Sequence, residues 1–312
     1  MDIFETICDN DIEALKEYLA TGDINIKNER GLSLIHQAII FNNQEIFDLL
    51  LDNYINVNIQ DSFGETPIHY AIINNRMGFL KNLLRHNADI NLKNSTGQTA
   101  LYKACLLGRE EMVYLLLEWT KLNIYERDYQ EETIFMALVR SRNMSLLNKL
   151  NLDDKIVNEK NYMGETPLHL AAKSGDINVI DYLIKHKAFI NSKNYNLETP
   201  LFYAVKARRN EAINVLLKNG AIADIKSKSS STVFDLAPDK DILNYLNEKI
   251  ELYRLNEYKG KYPLHYSIII EDYEMVMKHN LVRNINRLDP YGYKPIDLAR
   301  LIDNKKILSL LN

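Results

Sequence analysis

Four histidines are the first residues of this sequence whose type and spacing suggest chemistry. His36, His69, His169 and His265 each stand three places after a Ser, Thr or Tyr. Imidazoles placed in such register could bind a metal ion or transfer protons. However, the sequence contains no Cys/His cluster, glycine-rich phosphate loop, nucleophile elbow or HExxH motif that would complete a site. We therefore predict no catalytic residue, no metal and no cofactor.

A repeat of about 33 residues sets the spacing of these histidines. The peptide GETPIHY at 64–70 returns as GETPLHL at 164–170. Its third residue, called the box residue below, recurs at intervals of 33, 33, 34, 33, 33 and 33 places in Ser33, Thr66, Thr99, Thr133, Thr166, Thr199 and Thr232. The phase then slips to Tyr262 and continues to Lys294. A fixed period of this length is typical of a solenoid, in which each unit buries its apolar face against its neighbours.

One period predicts two helices and a loop. Thr166 can cap a helix that begins at Pro167, and Gly175 can end that helix in the left-handed conformation. A second helix follows, with an apolar stripe at Val179, Ile180, Leu183 and Ile184. Residues 188–198 are polar and turn-forming, and they lead to the next unit. Because helices of neighbouring layers lie about 8–10 Å apart, histidines of different units cannot share one metal ion.

These residues resemble the ankyrin repeat. The matches are TPIH at 66–69, TPLH at 166–169, TPLF at 199–202, YPLH at 262–265, LLRHNADINLKN at 83–94 and VLLKNGAIADIKS at 215–227. The resemblance covers essentially the whole chain. It implies an all-α ankyrin-repeat solenoid of stacked helix-turn-helix units with β-hairpin fingers. It also implies a protein-interaction scaffold that is not an enzyme, in which the box histidine bonds to the box threonine and nearby backbone.

We predict a single solenoid over residues 1–312. Its units are 1–31 as an N-terminal cap, 32–64, 65–97, 98–131, 132–164, 165–197, 198–230, 231–260, 261–292, and 293–312 as a C-terminal cap. Two units depart from the pattern. Unit 132–164 reads TIFM in place of the box, and we expect an irregular layer there.

The second departure is unit 231–260, which places Pro238 where its first helix would run, so that helix should stop early. The charged segment from Asp241 to about Tyr258 should form an extended helix. The unit is either a joint or specialised surface between 1–230 and 261–312, or a repeat that has drifted.

Aromatic residues recur at the expected fingertips. Four places before the box residue stand Tyr129, Tyr162 and Tyr195, with Tyr258 in the same phase, while Phe63 and Tyr291 fall one place later. Tyrosine offers a large contact area at a small loss of rotamer entropy, as in interface hot spots. The alternative is that each ring stacks on a neighbouring finger and stiffens the row. The two interpretations are compatible.

The inner face of the first helix changes character along the chain. Seven or eight places after the box residue, this face carries apolar residues in the units near the start of the chain and basic residues in the middle units. It carries apolar residues again in the units toward the end of the chain. The site residues predicted at these places are Phe41, Ile73, Leu107, Arg140, Lys173 and Lys206, and Arg208 close by is predicted with them. Solvated charge is the simplest account of any one base, whereas exposed apolar groups would form a contiguous patch. Burial of these apolar groups by an irregular neighbouring finger is the alternative.

Composition limits the classes of function. The net charge is −4 with mixed signs, which gives no general basic field for nucleic acid or membrane. Cys8 and Cys105 lie in no metal or redox spacing and are predicted to be packing residues. The acidic N-terminus is unlike a secretory signal. We expect a cytoplasmic monomer, or one delivered into a host cell without a classical signal peptide.

The leading hypothesis is that the chain binds another protein through its concave face. The bound part of that protein would carry an acidic segment. The alternative is binding of nucleic acid or a phosphorylated ligand by the central bases. A third, weaker hypothesis is an enzyme with an unrecognised site in unit 231–260.

Overall fold

Pairs of antiparallel helices follow one another along the chain. A computed structural model describes residues 2–119, 123, 125–150, 154–280, 282–289, 293–301 and 304–311, with the backbone alone for 154, 251–259, 282, 283 and 301. The first seven pairs are α1 Ile3–Cys8 with α2 Ile12–Leu19, α3 Leu34–Ile40 with α4 Gln44–Asp52, α5 Pro67–Ile73 with α6 Met77–Arg85, α7 Ala100–Leu106 with α8 Glu110–Trp119, α9 Ile134–Ser141 with α10 Met144–Lys149, α11 Pro167–Ser174 with α12 Ile177–Lys185, and α13 Pro200–Lys206 with α14 Asn210–Lys218. The remaining helices are α15 Lys240–Lys261, α16 Pro263–Ile269, α17 Tyr273–His279, α18 Val282–Ile285, α19 Pro295–Leu301 and α20 Lys305–Leu311.

The predicted layout of one repeat is confirmed at unit 165–197. Gly175 ends α11 with a φ of 78°, the left-handed conformation expected of it. Leu168, Ala171 and Ala172 of α11 are buried, and α11 packs against α13 of the next unit. The small alanines allow this close approach. On α12, Val179, Ile180 and Leu183 are buried, whereas Ile184 is only partly buried.

Both irregular units differ from the regular layers, but the first helix that was predicted to stop early in unit 231–260 is not formed at all. In unit 132–164, α10 has six residues and is followed by a 3-10 helix, Asp154–Asn158. In unit 231–260 the box residue Thr232 donates its backbone N–H to Asp235 at 2.7 Å, yet turns follow in place of any first helix. Pro238 supplies no N–H for a helix there. The extended helix α15 is confirmed and runs three residues beyond the predicted end.

Buried apolar side chains form two clusters. The main cluster runs from Phe4 to Ile250 and includes one side of α15. The second runs from Leu264 to Leu311 and belongs to α16, α17, α19 and α20. Cys105 lies in the main cluster, but Cys8 is exposed, so the prediction that it is a packing residue is wrong. Cys8 is the last residue of α1, in the first helix pair of the chain. The single-solenoid boundaries and the joint at 231–260 stay predictions.

The predicted β-hairpin fingers are turns. Across the described residues the helix pairs are joined without any β-strand, and only two isolated antiparallel bridges occur, Lys27 with Ser33 and Arg127 with Thr133.

Candidate functional site

The box histidines are structural links. Nδ1 of His169 lies 3.0 Å from the backbone nitrogen and 2.8 Å from the hydroxyl of Thr166, and Nε2 lies 3.0 Å from the carbonyl oxygen of Glu198 in the next unit. His36 and His69 repeat this arrangement. Burial lowers the pKa of His36 and of His169 to about 4. The neutral ring accepts within its own unit and donates to the next, as the resemblance implied.

An Asp or Asn five places before the box residue holds the turn of six fingers. Asn94 Oδ1 accepts from the backbone N–H groups of Thr96 at 3.0 Å and Gln98 at 2.9 Å. The same pair of bonds is made by Asn28, Asp61, Asp128, Asn161 and Asn194. Sequence reasoning missed this turn, although an Asp or Asn at the same phase of six units was the signal for it.

Backbone hydrogen bonds join the fingertips to one another. Tyr129 N–H donates to the carbonyl of Thr96 in the preceding finger at 2.9 Å, and Tyr162 donates in the same way to Gln130 at 3.0 Å. Tyr195 donates to Met163 at 3.0 Å. Ser95 and Lys228 extend the row at its two ends. The fingertips from residue 63 to residue 228 therefore form one connected row.

The fingertip rings are largely exposed although their backbone is fixed. Phe63 is 67% exposed, Tyr129 68%, Tyr162 57% and Tyr195 59%. Tyr129 covers the preceding finger, because a Cβ at Gly97 would lie 2.6 Å from its ring, and Tyr195 covers Gly164 in the same way at 2.8 Å. The predicted stacking is therefore observed for these two rings, and each leaves most of its surface open. Binding by these rings stays a prediction.

Two predicted fingertip residues differ from this group. Tyr258 lies within α15 and not on a finger, because that helix continues without interruption to Lys261. The expectation of a fingertip at Tyr258 is therefore wrong. Tyr291 lies outside the described residues.

The early apolar residues are exposed as predicted. Phe41 and Leu107 are the C-terminal cap residues of α3 and α7, and Ile73 is the last residue of α5. All three side chains are accessible to solvent. They stand seven or eight places after the box residue in three consecutive units, which makes a row of apolar groups along the inner helices.

The central bases are mostly paired with carboxylates. Arg140 binds Glu132 through two hydrogen bonds of 2.9 and 2.5 Å, and these raise the pKa of the guanidinium. Nζ of Lys206 lies 2.5 Å from Oε1 of Glu198, and Nη2 of Arg208 lies 3.1 Å from Oδ2 of Asp239. The exposed ammonium of Lys173 has no such partner among the described residues. Fewer of the central bases are therefore free to bind an acidic partner than the sequence suggested.

Fingers and inner helices meet at a groove between units 165–197 and 198–230. The groove has a volume of about 460 Å³. Its lining includes Met163 and Asn196 from two fingers, Glu165 before one box, and Lys173 and Lys206 from α11 and α13. The structure thus brings two predicted site residues together, beside the fingers that carry Tyr162 and Tyr195.

The described residues form neither a metal-binding cluster nor a membrane span. Within the described residues, no three His, Cys, Asp or Glu side chains are grouped so as to hold a metal ion. No described helix has the length and apolarity that a membrane span requires.

Comparison with known proteins identifies the architecture. A family model described as ankyrin repeats (3 copies) matches residues 3–94, 54–130, 73–160 and 134–229. The ankyrin repeat domain of Bcl-3, a member of the IkappaB protein family, is 21% identical and has a TM-score of 0.53, with 70% of this chain and 100% of that chain covered. The ankyrin repeat domain of human ASB11 is 22% identical and has a TM-score of 0.58, with 70% of this chain and 98% of that chain covered. A search of curated protein sequences found no significant match. The chain belongs to the ankyrin-repeat family.

Proposed function

We propose that this chain is a non-enzymatic scaffold that binds another protein through the face formed by its fingertips and the inner ends of its first helices. Ankyrin-repeat domains are generally protein-protein interaction modules. A role as an effector, an inhibitor of the immunity type or an adaptor fits such a scaffold. We place it, as a monomer, in the cytoplasm or in a host cell after delivery.

One observation carries the proposal. Tyr129, Tyr162 and Tyr195 keep more than half of their surface exposed, while their backbone N–H groups are fixed to the preceding finger. An exposed aromatic ring normally loses entropy when a partner immobilises it, and a ring already held on a neighbouring finger loses less. Tyrosine is enriched, with Trp and Arg, among the few residues that carry most of the binding energy at protein interfaces.

The central bases favour a protein over nucleic acid. Phosphate recognition uses several free cations along one surface. Here Arg140, Lys206 and Arg208 each contact a carboxylate of this chain. Binding of nucleic acid or a phosphorylated ligand is the alternative, and it predicts an affinity that falls steeply with salt.

Photo-crosslinking in the native source tests the proposed face. Benzoyl-phenylalanine would replace Tyr162 in one variant and Tyr54 in a matched control. Tyr54 is 93% exposed but lies in the turn after α4, away from the fingers. We expect a discrete protein adduct at position 162 and none at position 54.

A second arm removes the side chains. The triple variant Tyr129→Ala, Tyr162→Ala, Tyr195→Ala should fold with little loss of stability, as substitutions at exposed sites usually do. It should lose the partner captured by the wild-type chain. Equal capture by the folded triple variant would show that the fingertips are not the binding face.

A further inference from the structure

Three consecutive units share a charge pattern across the inner face. Each has a glutamate directly before the box residue and a base eight places after that glutamate. The three combinations are Glu132 with Arg140, Glu165 with Lys173, and Glu198 with Lys206. The first and the third form ion pairs, both with a closest approach of 2.5 Å. The same spacing on the same scaffold would allow the middle pair to form as well.

Glu165 and Lys173 do not form an ion pair, because a residue of the next unit donates a hydrogen bond to the Glu165 carboxylate instead. Tyr203 donates its hydroxyl to Glu165 Oε1 at 2.5 Å, and Asn161 donates to Oε2 at 2.7 Å. Glu165 is only 8% exposed, so these two donors cover most of its carboxylate. Lys173 therefore projects from α11 without a carboxylate partner among the residues that the structure describes.

The residue four places after the box residue, where Tyr203 stands, decides which glutamates pair with the base of their own unit. Its side chain reaches back to the glutamate of the preceding unit. Lys103 does the same, since its Nζ lies 2.8 Å from Glu65 of the unit before. The corresponding residues next to Glu132 and Glu198 are Leu170 and Leu236, which have no donor. Those glutamates stay available to their own bases.

Lys173 stands beside an apolar surface in the groove between α11 and α13. Met163, 40% exposed, and Ala207 line the same groove. Both carboxylates in the lining already have donors, Glu165 from Tyr203 and Glu198 from Lys206. The charge left for a partner is therefore the ammonium of Lys173, next to a thioether that can adapt to an apolar side chain.

We propose that this groove receives an aspartate or glutamate side chain of the protein partner, with Lys173 as its counter-ion and an adjacent apolar residue of the partner on Met163. This inference rests on the proposed function and names the chemistry of the segment that is bound. Tyr203 is its positioning residue, because it keeps Glu165 away from Lys173. A charge pair at such a rim adds specificity more than affinity.

The methyl signal of Met163 tests the inference without knowledge of the partner. The chain has 8 methionines, so a methyl-labelled sample gives few signals. The probe is the dipeptide acetyl-Glu-Leu-amide, and acetyl-Lys-Leu-amide is the control ligand. We expect a saturable shift of the Met163 methyl with the acidic probe alone. Lys173→Met should weaken the binding by about fivefold, the upper end of what an exposed charge pair contributes.

A charge-neutral variant provides the sharper result. Tyr203→Phe removes only the hydroxyl, which should let Lys173 pair with Glu165 and should weaken the acidic probe as much as Lys173→Met does. The matched control is Tyr70→Phe, which makes the same change at the same repeat place in a unit whose residue at the place of Lys173 is Ile73. That variant should bind the probe as the wild type does.

The two proposals fail in different ways. If crosslinking at position 162 succeeds but the acidic probe leaves Met163 unmoved, or Tyr203→Phe binds the probe as well as the wild type, this inference is wrong and the proposed function stands. Failure of the crosslinking and of the triple tyrosine variant would remove the proposed function and this inference with it.

Discussion

The imidazole Nε2 of His169 lies 3.0 Å from the backbone carbonyl oxygen of Glu198, which belongs to the next unit. The same contact joins His36 to Glu65, His69 to Gln98 and His265 to Tyr293. One side chain thus contributes both to the start of its own helix and to the attachment of its neighbour. Its protonation state should therefore affect the stability of the stack.

Stability should fall as the pH decreases from about 6.5 to 4. The pKa of His36 and of His169 is about 4 in the folded chain and about 6.5 when unfolded. The folded state binds fewer protons in this window, so stability that is complete above pH 6.5 is lost as the pH falls. At pH 5, each of these histidines should lower the free energy of unfolding by about 2 kcal/mol relative to neutral pH. Urea unfolding at several pH values measures the decline.

His169→Gln separates the histidine effect from that of the carboxylates. The variant should be less stable at pH 7 but should lose less stability between pH 7 and pH 5 than the wild type. An identical decline in both chains would show that the histidine is not the titrating group.

Two box threonines should respond in opposite ways to valine. The Thr166 hydroxyl lies 2.8 Å from His169 Nδ1, whereas Phe202 replaces the histidine in the unit of Thr199, whose buried hydroxyl has no hydrogen-bond partner in the described part of the chain. Thr166→Val should lose about 1–2 kcal/mol. Thr199→Val should be as stable as the wild type or more so. Equal losses in chemical denaturation would contradict this difference.

Removal of Arg140 should be more harmful than removal of an exposed base. Arg140→Met would leave Glu132, whose side chain is 7% exposed, without its bidentate partner. We expect a loss of about 1–3 kcal/mol, reduced from that of a fully buried pair because Arg140 is itself partly exposed. Lys149→Met removes a solvated pair with Glu110 and should leave the unfolding midpoint unchanged. Thermal melts of both variants make the comparison, and matching melting curves would refute it.

The two apolar clusters should respond separately to cavities. Ile268 and Ile180 are both fully buried, the first in the 264–311 cluster and the second in the main cluster. Ile268→Ala should lower the free energy of unfolding of the 264–311 cluster by about 2–5 kcal/mol. Hydrogen exchange should then quicken in α16, α17, α19 and α20 and stay unchanged from α3 to α14. Ile180→Ala is the reciprocal control. Faster exchange throughout the chain in both variants would indicate one cooperative core.

The sequence was sufficient for the features that repeat with the period. Phase predicted the capped start at Thr166 and the helix end at Gly175, whereas the resemblance to the ankyrin repeat implied the bonding of the box histidine and the fingertip position of the tyrosines. It was not sufficient where contacts cross from one unit to another. Tyr203 binds Glu165 across 38 residues, and no local spacing reveals that this bond displaces Lys173. Tyr258 was misplaced because the period was extended through a unit in which a long helix replaces the finger.

The row of backbone bonds between fingertips has a consequence for how this chain can change over time. Its donors and acceptors are main-chain atoms, so the bond from Tyr129 to Thr96 does not depend on which side chains those positions carry. Mutation could therefore replace the displayed groups one after another while the geometry of the display is inherited intact. A lineage built this way can acquire new binding targets without first having to evolve a new support for them.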